Sequence, residues 1–164
     1  MSVTIRNMTQ PEFENFYQRS VQYQVVQLMD ARGISREEAG REAEEELAGM
    51  LPDGLHTENN FLRSIINGDE NVGYIWTLHE ETNGKKQCFL CDFAIQEDRR
   101  RQGYGTEALR LMEKQAADAG CVESVLFVAD QNLAARALYE KCGYKLLRQA
   151  GSGKYMIKEL KTDL

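Results

Sequence analysis

No stretch of this sequence stays apolar for long enough to span a bilayer, and no N-terminal apolar run reads as a secretory signal. A membrane protein is therefore not expected, and a cytoplasmic one is. Excess basic charge is missing too. The 164 residues carry a formal charge of −6, which argues against a nucleic-acid partner and mildly favours cationic substrates. Metal-binding cysteine sets are incomplete. Cys88 and Cys91 have metal-knuckle spacing, but no second such pair and no nearby histidine pair joins them. They also sit in an apolar run that reads as a strand, where residues three apart face opposite sides. With Cys121 and Cys142 they are expected to be buried free thiols in a reducing compartment, and no metal is expected. Repeats, linkers and low-complexity segments are absent as well. One domain over residues 1–164 with a single core is the expectation.

What is present is a clear alternation of patterns. Val3–Met8 reads as a strand. Thr9 can cap a helix that starts near Pro11 and ends at Gly33, with Phe13, Phe16, Tyr17, Val21 and Leu28 on its apolar face. Ser35 and Glu38 form a capping-box pattern for a second helix, which carries Ala39, Ala43 and Leu47 on one face and stops before Pro52. Its acidic run, Glu44–Glu46, reads as a solvated face, with substrate recruitment as the alternative. Phe61–Ile66, Val72–His79 and Gln87–Ile95 are strand candidates separated by the turn signals Asn67-Gly68 and Asn83-Gly84. A helix (Tyr104–Ala119), a strand (Ser124–Ala129), a helix (Leu133–Cys142) and two strands (Tyr144–Leu147, Tyr155–Leu160) follow. The predicted class is α+β, with a mixed, mostly antiparallel sheet flanked by helices.

The segment Arg99-Arg100-Arg101-Gln102-Gly103-Tyr104-Gly105-Thr106 lies between a strand and a helix. Glycines let backbone approach a ligand closely, and the unpaired amides and dipole of a helix N-terminus favour an anion. Three arginines add mobile positive charge, and a pyrophosphate suits the site. Gly103, Gly105 and Ala108 also fit a dinucleotide fingerprint, with Asp130 imitating its ribose-binding acid. Against that reading, Gln96–Gln102 separate Ile95 from Gly103, and the unit follows three antiparallel strands instead of opening the fold. A plain strand–helix loop with solvated arginines is the third reading.

Arg100-x-x-Gly103-x-Gly105 matches the first signature of the GNAT family of N-acetyltransferases, and Asn132-x-x-Ala135-x-x-Leu138-Tyr139-x-x-x-Gly143-Tyr144 matches the second. Together with the element order, these make the chain resemble that family over nearly its whole length. Leu51-Pro52-Asp53-Gly54-Leu55 is similar to a bacterial subgroup of uncharacterised members. The resemblance implies the acyl-CoA N-acyltransferase fold and transfer of an acetyl group from acetyl-CoA to an amine. It implies that Phe93, Ala94 and Ile95 pair with the pantetheine arm, and that the loop opened by Arg100 holds the pyrophosphate through Arg101, Gln102, Gly103, Tyr104, Gly105 and Thr106. It also implies that Asn132 touches the pantetheine and that Tyr139 lies near the sulfur. Dimers are common in the family, so a homodimer is open. Glu97 stands where members often have proline, at a position without chemistry.

The implied reaction is direct attack of an amine on the thioester. An alkylammonium is only about one part in 2,500 neutral at pH 7, so a proton acceptor is needed. Asp92, a charged residue inside an apolar strand, is the first candidate; a core-edge carboxylate paired with an arginine is its alternative. Glu81 and His79 are weaker candidates, and His79 reads otherwise as exposed. Tyr139 can stabilise the leaving thiolate; full proton transfer from an ordinary phenol is uphill by roughly two kcal/mol. It can equally be a packed aromatic, as Asn132 can be only a helix cap. The Ile95 amide can polarise the carbonyl. The acceptor pocket is expected from the first two helices, the segment Leu51–Asn60 and the strand ends, with His56 either lining it or exposed. Nothing in the sequence names the amine, and a non-catalytic acyl-CoA sensor or interaction module is the second class of function.

Overall fold

The computed structural model describes residues 2–161, and the chain divides into two compact units, Met8–Asn60 and the remainder. The first unit is a helical pair. Helix α1 (Gln10–Arg32) begins at a capping box, in which the Thr9 hydroxyl accepts from the Glu12 amide at 3.3 Å and Glu12 Oε1 accepts from the Thr9 amide at 2.8 Å. It ends at Gly33, whose φ of 64° supplies the left-handed cap. Helix α2 (Arg36–Met50) is capped by Ser35, which accepts from the Glu38 amide at 3.2 Å. Ala39 and Ala43 are fully buried with Val25, and these small side chains let the two helices approach closely. Glu44, Glu45 and Glu46 are solvent-exposed, as a solvated face requires. His56, in the short turn Gly54–His56, is also exposed.

The second unit is a seven-stranded sheet with two helices. Its strands are β1 (Val3–Asn7), β2 (Asn60–Asn67), β3 (Glu70–Thr82), β4 (Lys85–Ile95), β5 (Glu123–Ala129), β6 (Lys145–Ala150) and β7 (Gly153–Glu159). Helix α3 (Tyr104–Asp118) links β4 to β5, and α4 (Leu133–Lys141) links β5 to β6. The strand order is β1-β2-β3-β4-β5-β7-β6. Only β4 and β5 are assigned as a parallel pair among the described registers, and α3 is the crossover such a pair needs. A doubly wound dinucleotide fold is thereby excluded. Asp130 confirms the point: it pairs with Lys154 and accepts from Gln149 at 2.9 Å, on the surface. The predicted α+β class and element order hold.

The strands run longer than their apolar cores suggest. Asn83 and Gly84, with φ of 55° and 78°, form a two-residue hairpin that lets Thr82 face Lys85, so β3 and β4 extend through polar residues to the turn. At the other turn Asn67 belongs to β2, and its side-chain amide donates to the Tyr104 hydroxyl at 3.0 Å. The core lies between the sheet and α3, where Ala108, Leu109 and Met112 pack with Ile65, Val72, Ile75, Cys88 and Leu126. All four cysteines are free; Cys88 and Cys121 are buried, whereas Cys91 and Cys142 are only partly so.

His79 corrects the expectation of exposure. It faces Cys88 across the ladder and is 5% exposed, with its ring 4.3 Å from that of Phe61. Its Nδ1 finds no hydrogen-bond partner. Burial, with the nearby charges of Lys86 and Arg63, pushes its pKa down to about 4. An unfolded histidine titrates near 6.5. Between these values the unfolded chain holds the extra proton, so stability falls as pH drops from about 6.5 to about 4. Relative to His79→Phe, the natural chain should lose about 2–3 kcal/mol more between pH 7 and pH 4. Urea unfolding at the two pH values measures this; parallel losses in both proteins would show that His79 is not the acid-labile group.

Candidate active site

One extra residue in β4 shapes the site. Asp92 faces Trp76 and Leu90 faces Thr77, so Cys91 between them opposes nothing on β3. This is a β-bulge, which bends its strand. The bend reaches the other edge of β4. Pairing with β5 runs from Gln87 and Glu123 to Leu90 and Leu126 and stops there, one residue before the bulge. Each strand keeps its own antiparallel partner: β3 follows β4 to Ile95, and β7 follows β5 to Ala129. Neither strand can swing back, and a slot opens between them. Its cavity of about 170 Å³ is lined by Cys91, Asp92 and Phe93 on one side, Phe127, Val128 and Ala129 on the other, and Asn132, Ala135 and Tyr139 of α4.

Beyond the bulge the backbone of β4 is turned to the slot. The Gln96 amide donates to the Val72 carbonyl at 2.8 Å. Antiparallel ladders alternate, so Ala94 also bonds inward to β3 while Phe93 and Ile95 point their polar groups away from it. The Phe93 amide is held by Asp92 Oδ1 at 2.9 Å, and the Ile95 carbonyl accepts from Arg100 Nε at 3.1 Å. The Ile95 amide and the Phe93 carbonyl are left on the open edge.

The first turn of α3 has the properties of an anion site. Helices α1, α2 and α4 each receive a side-chain cap, from Thr9, Ser35 and Asn132. Gly103, the N-cap of α3 with φ of 84°, gives none. The amides of Tyr104, Gly105 and Thr106 therefore lack both an intrahelical partner and a side-chain one. The missing side chain of Gly105 serves packing: a β-carbon there would lie 3.4 Å from Leu138 and 3.5 Å from the Phe93 ring. The Tyr104 ring is buried, and its hydroxyl donates to Gln102 Oε1 at 3.1 Å, so Tyr104 can offer only its amide. The three arginines are not equally engaged. Arg99 pairs with Glu70 and Arg100 holds Ile95, whereas Arg101 is exposed with φ of 64°.

Asp92 has no arginine beside it, contrary to that alternative. Its Oδ2 accepts from the Tyr74 hydroxyl at 3.0 Å. Burial raises its pKa above the usual carboxylate range, and the bonds from Tyr74 and the Phe93 amide oppose the rise. Tyr139 is buried, with its ring edge-on to Tyr144 at 5.9 Å; the Tyr144 and Ser124 hydroxyls lie 2.8 Å apart. Burial, then the charge of Asp92, pushes the Tyr139 phenol up to about 12. Asn132 does cap α4, accepting from the Ala135 amide at 3.2 Å, while also lining the slot. His79 and Glu81 lie on the paired part of β3 and do not line it. Sequence reading missed Tyr74, whose part depends on a diagonal cross-strand contact, and Cys91, because a bulge leaves the apolar run unbroken.

Residues 5–144 match the acetyltransferase (GNAT) family. The chain belongs to that family. Its activity is N-acetyl transfer, and the fold and the two signatures are those expected of a GNAT acetyltransferase. The chain is 29% identical over 147 residues to the uncharacterised N-acetyltransferase YdgE of Bacillus subtilis, covering 89% of this chain and 94% of that protein. The crystal structure of the uncharacterised N-acetyltransferase YycN of Bacillus subtilis has a TM-score of 0.81 at 26% identity, covering 92% of this chain and 97% of that one. The PaiA N-acetyltransferase of Thermoplasma acidophilum, in complex with coenzyme A, shares the fold with a TM-score of 0.69 at 20% identity over 97% of this chain and 99% of that one.

The GNAT slot depends on β3 and β4 staying in close contact just past the bulge. A β-carbon at Gly73 would lie 2.3 Å from the Ala94 carbonyl oxygen and 3.1 Å from the Ile95 Cα. Gly73→Ala should therefore cost about 2 kcal/mol in chemical denaturation, because backbone, not a flexible side chain, must move. An unchanged midpoint would show that the two strands can separate freely here.

Proposed function

We propose that residues 1–164 act as one acetyltransferase domain that carries an acetyl group from acetyl-CoA to a primary amine by direct attack within a ternary complex. The family match crosses both compact units, which supports the single domain. The observation that carries the mechanism is the slot itself, which has Asp92 and Tyr139 among its lining residues, together with the uncapped first turn of α3. The donor fits these residues. Arg101–Thr106 would take the pyrophosphate on backbone amides, with Arg100 bracing the loop through Ile95. The open edge of Phe93, Ala94 and Ile95, with Asn132, would take the pantetheine. PaiA, which shares the fold and binds coenzyme A, supports this choice. Bound acetyl-CoA supplies an activated thioester.

The protein's own groups do the rest. Asp92 accepts the proton of the incoming ammonium, directly or through water. The Ile95 amide polarises the carbonyl, and Tyr139 donates a hydrogen bond to the departing sulfur. With the Tyr139 phenol near 12 and a thiol near 8.5, full proton transfer would be uphill by roughly 5 kcal/mol, so hydrogen bonding is the proposed role. A covalent route through Cys91 is disfavoured, because burial holds its thiol near 12 and unreactive at neutral pH. The proposed reaction uses no metal. Free thiols and the donor suit a cytoplasmic setting. Polyamines, amino acids, aminoglycosides and protein N-termini are the acceptor classes to test, by thiol release from acetyl-CoA.

Coenzyme A at about 100 times its dissociation constant should stabilise the fold by roughly 2.7 kcal/mol, and NADH should not. Gly103→Glu should weaken coenzyme A binding by calorimetry while the fold survives, since a carboxylate would meet the phosphates and a side chain would meet a left-handed backbone. Unchanged affinity would move the phosphate site elsewhere. Tyr139→Phe should keep coenzyme A affinity and lower turnover by about 10²–10³. An unchanged single-turnover rate at saturating amine would leave Tyr139 a packing residue. If coenzyme A binds and no amine is acetylated, an acyl-CoA sensor becomes the better description.

A further inference from the structure

We infer that Tyr74 is a positioning residue for the transfer: through its bond to Asp92 it fixes the proton acceptor and keeps it ionised. The inference rests on the reading of Asp92 as that acceptor.

The placement follows from the register. Tyr74 faces Ala94 and Trp76 faces Asp92, so Tyr74 and Asp92 are diagonal neighbours on one side of the sheet. The bulge at Cys91 sets this alignment; were Cys91 paired with Trp76, Asp92 would face Ile75 and lie on the opposite side from Tyr74. Each carboxylate oxygen has one described donor. The Tyr74 hydroxyl lies 3.0 Å from Oδ2 and the Phe93 amide 2.9 Å from Oδ1. A carboxylate held at both oxygens cannot rotate freely, and its remaining lone pairs are left for an incoming proton. The Phe93 bond is local to the strand. The Tyr74 bond ties Asp92 to the neighbouring strand, where a mutation can remove it cleanly.

The second role is electrostatic. Burial favours the neutral acid, and a neutral acid cannot accept a proton. The groups coupled to Asp92 are Tyr74 on β3, which donates to it, and Cys91 on β4 and Tyr139 on α4, which burial holds in their neutral forms. No described cation is paired with it, so the two hydrogen bonds are what oppose the effect of burial. In the transfer, Asp92 takes one proton from the ammonium, the nitrogen–carbon bond forms, the carbon–sulfur bond breaks, and the second nitrogen proton ends on the thiol.

Tyr74→Phe keeps the ring and removes the hydroxyl that makes this bond. The acid limb of kcat/KM for the amine should move to higher pH by about one unit, with coenzyme A affinity unchanged and the rate recovering at higher pH. Titration of the Asp92 side-chain carbon by NMR, assigned by its loss in Asp92→Asn, should move in the same direction and needs no acceptor. A uniform loss of rate at all pH values, or an Asp92 titration unchanged in Tyr74→Phe, overturns the inference. Asp92→Asn separates the two readings. If it retains both the rate and the acid limb, Asp92 is not the acceptor and the proposed mechanism fails with it. If it abolishes the limb while Tyr74→Phe leaves it in place, only the role of Tyr74 fails.

Discussion

The slot exists because β4 carries one residue more than β3 can pair. Cys91 has no opposite number, and the strand must bend to absorb it. Bending alone would not open a cavity if the neighbour followed. Here β5 is held along its whole length by β7, and β4 is held to Ile95 by β3. The parallel pair between them is the junction of two antiparallel halves, and it parts just past Leu90. The bulge therefore does three things at once. It opens a gap, exposes unpaired backbone on β4, and sets Asp92 on the side of the sheet occupied by Tyr74.

The surroundings of the gap keep its polar groups in usable states. Burial pushes the Asp92 carboxyl toward a higher pKa, and the bonds from Tyr74 and the Phe93 amide oppose this. A lone phenol resists ionisation, which suits Tyr139 to hydrogen-bond donation more than to acid catalysis. The helix ends divide their labour in the same way. Three of them each pair one first-turn amide with a side-chain cap, and the fourth, at Gly103, has no such cap. The proposed donor site thus occupies what the fold leaves unsatisfied.

Acceptor choice is a different matter. Membership of the family fixes the class of reaction and leaves the acceptor open. The mild acidity of the chain is compatible with a cationic acceptor without selecting one.

The sequence by itself determined the order of elements, the caps at Thr9 and Ser35, the hairpin at Asn83-Gly84 and the amide-rich turn at Gly103. These are local: each depends on backbone preferences or on contacts within a few residues, so the pattern in the chain suffices. It also pointed to Asp92 and Tyr139, through one misplaced charge and one family signature. Only the tertiary structure decided that these two side chains line one slot, that Tyr74 and not an arginine holds Asp92, and that His79 is buried beside Phe61. Those outcomes depend on strand register, and a shift of one residue reverses every side chain's face. The extra residue at Cys91 makes that shift without leaving a mark in the apolar run Cys88–Ile95, which is why the chemistry of the site could be read only once the strands were paired.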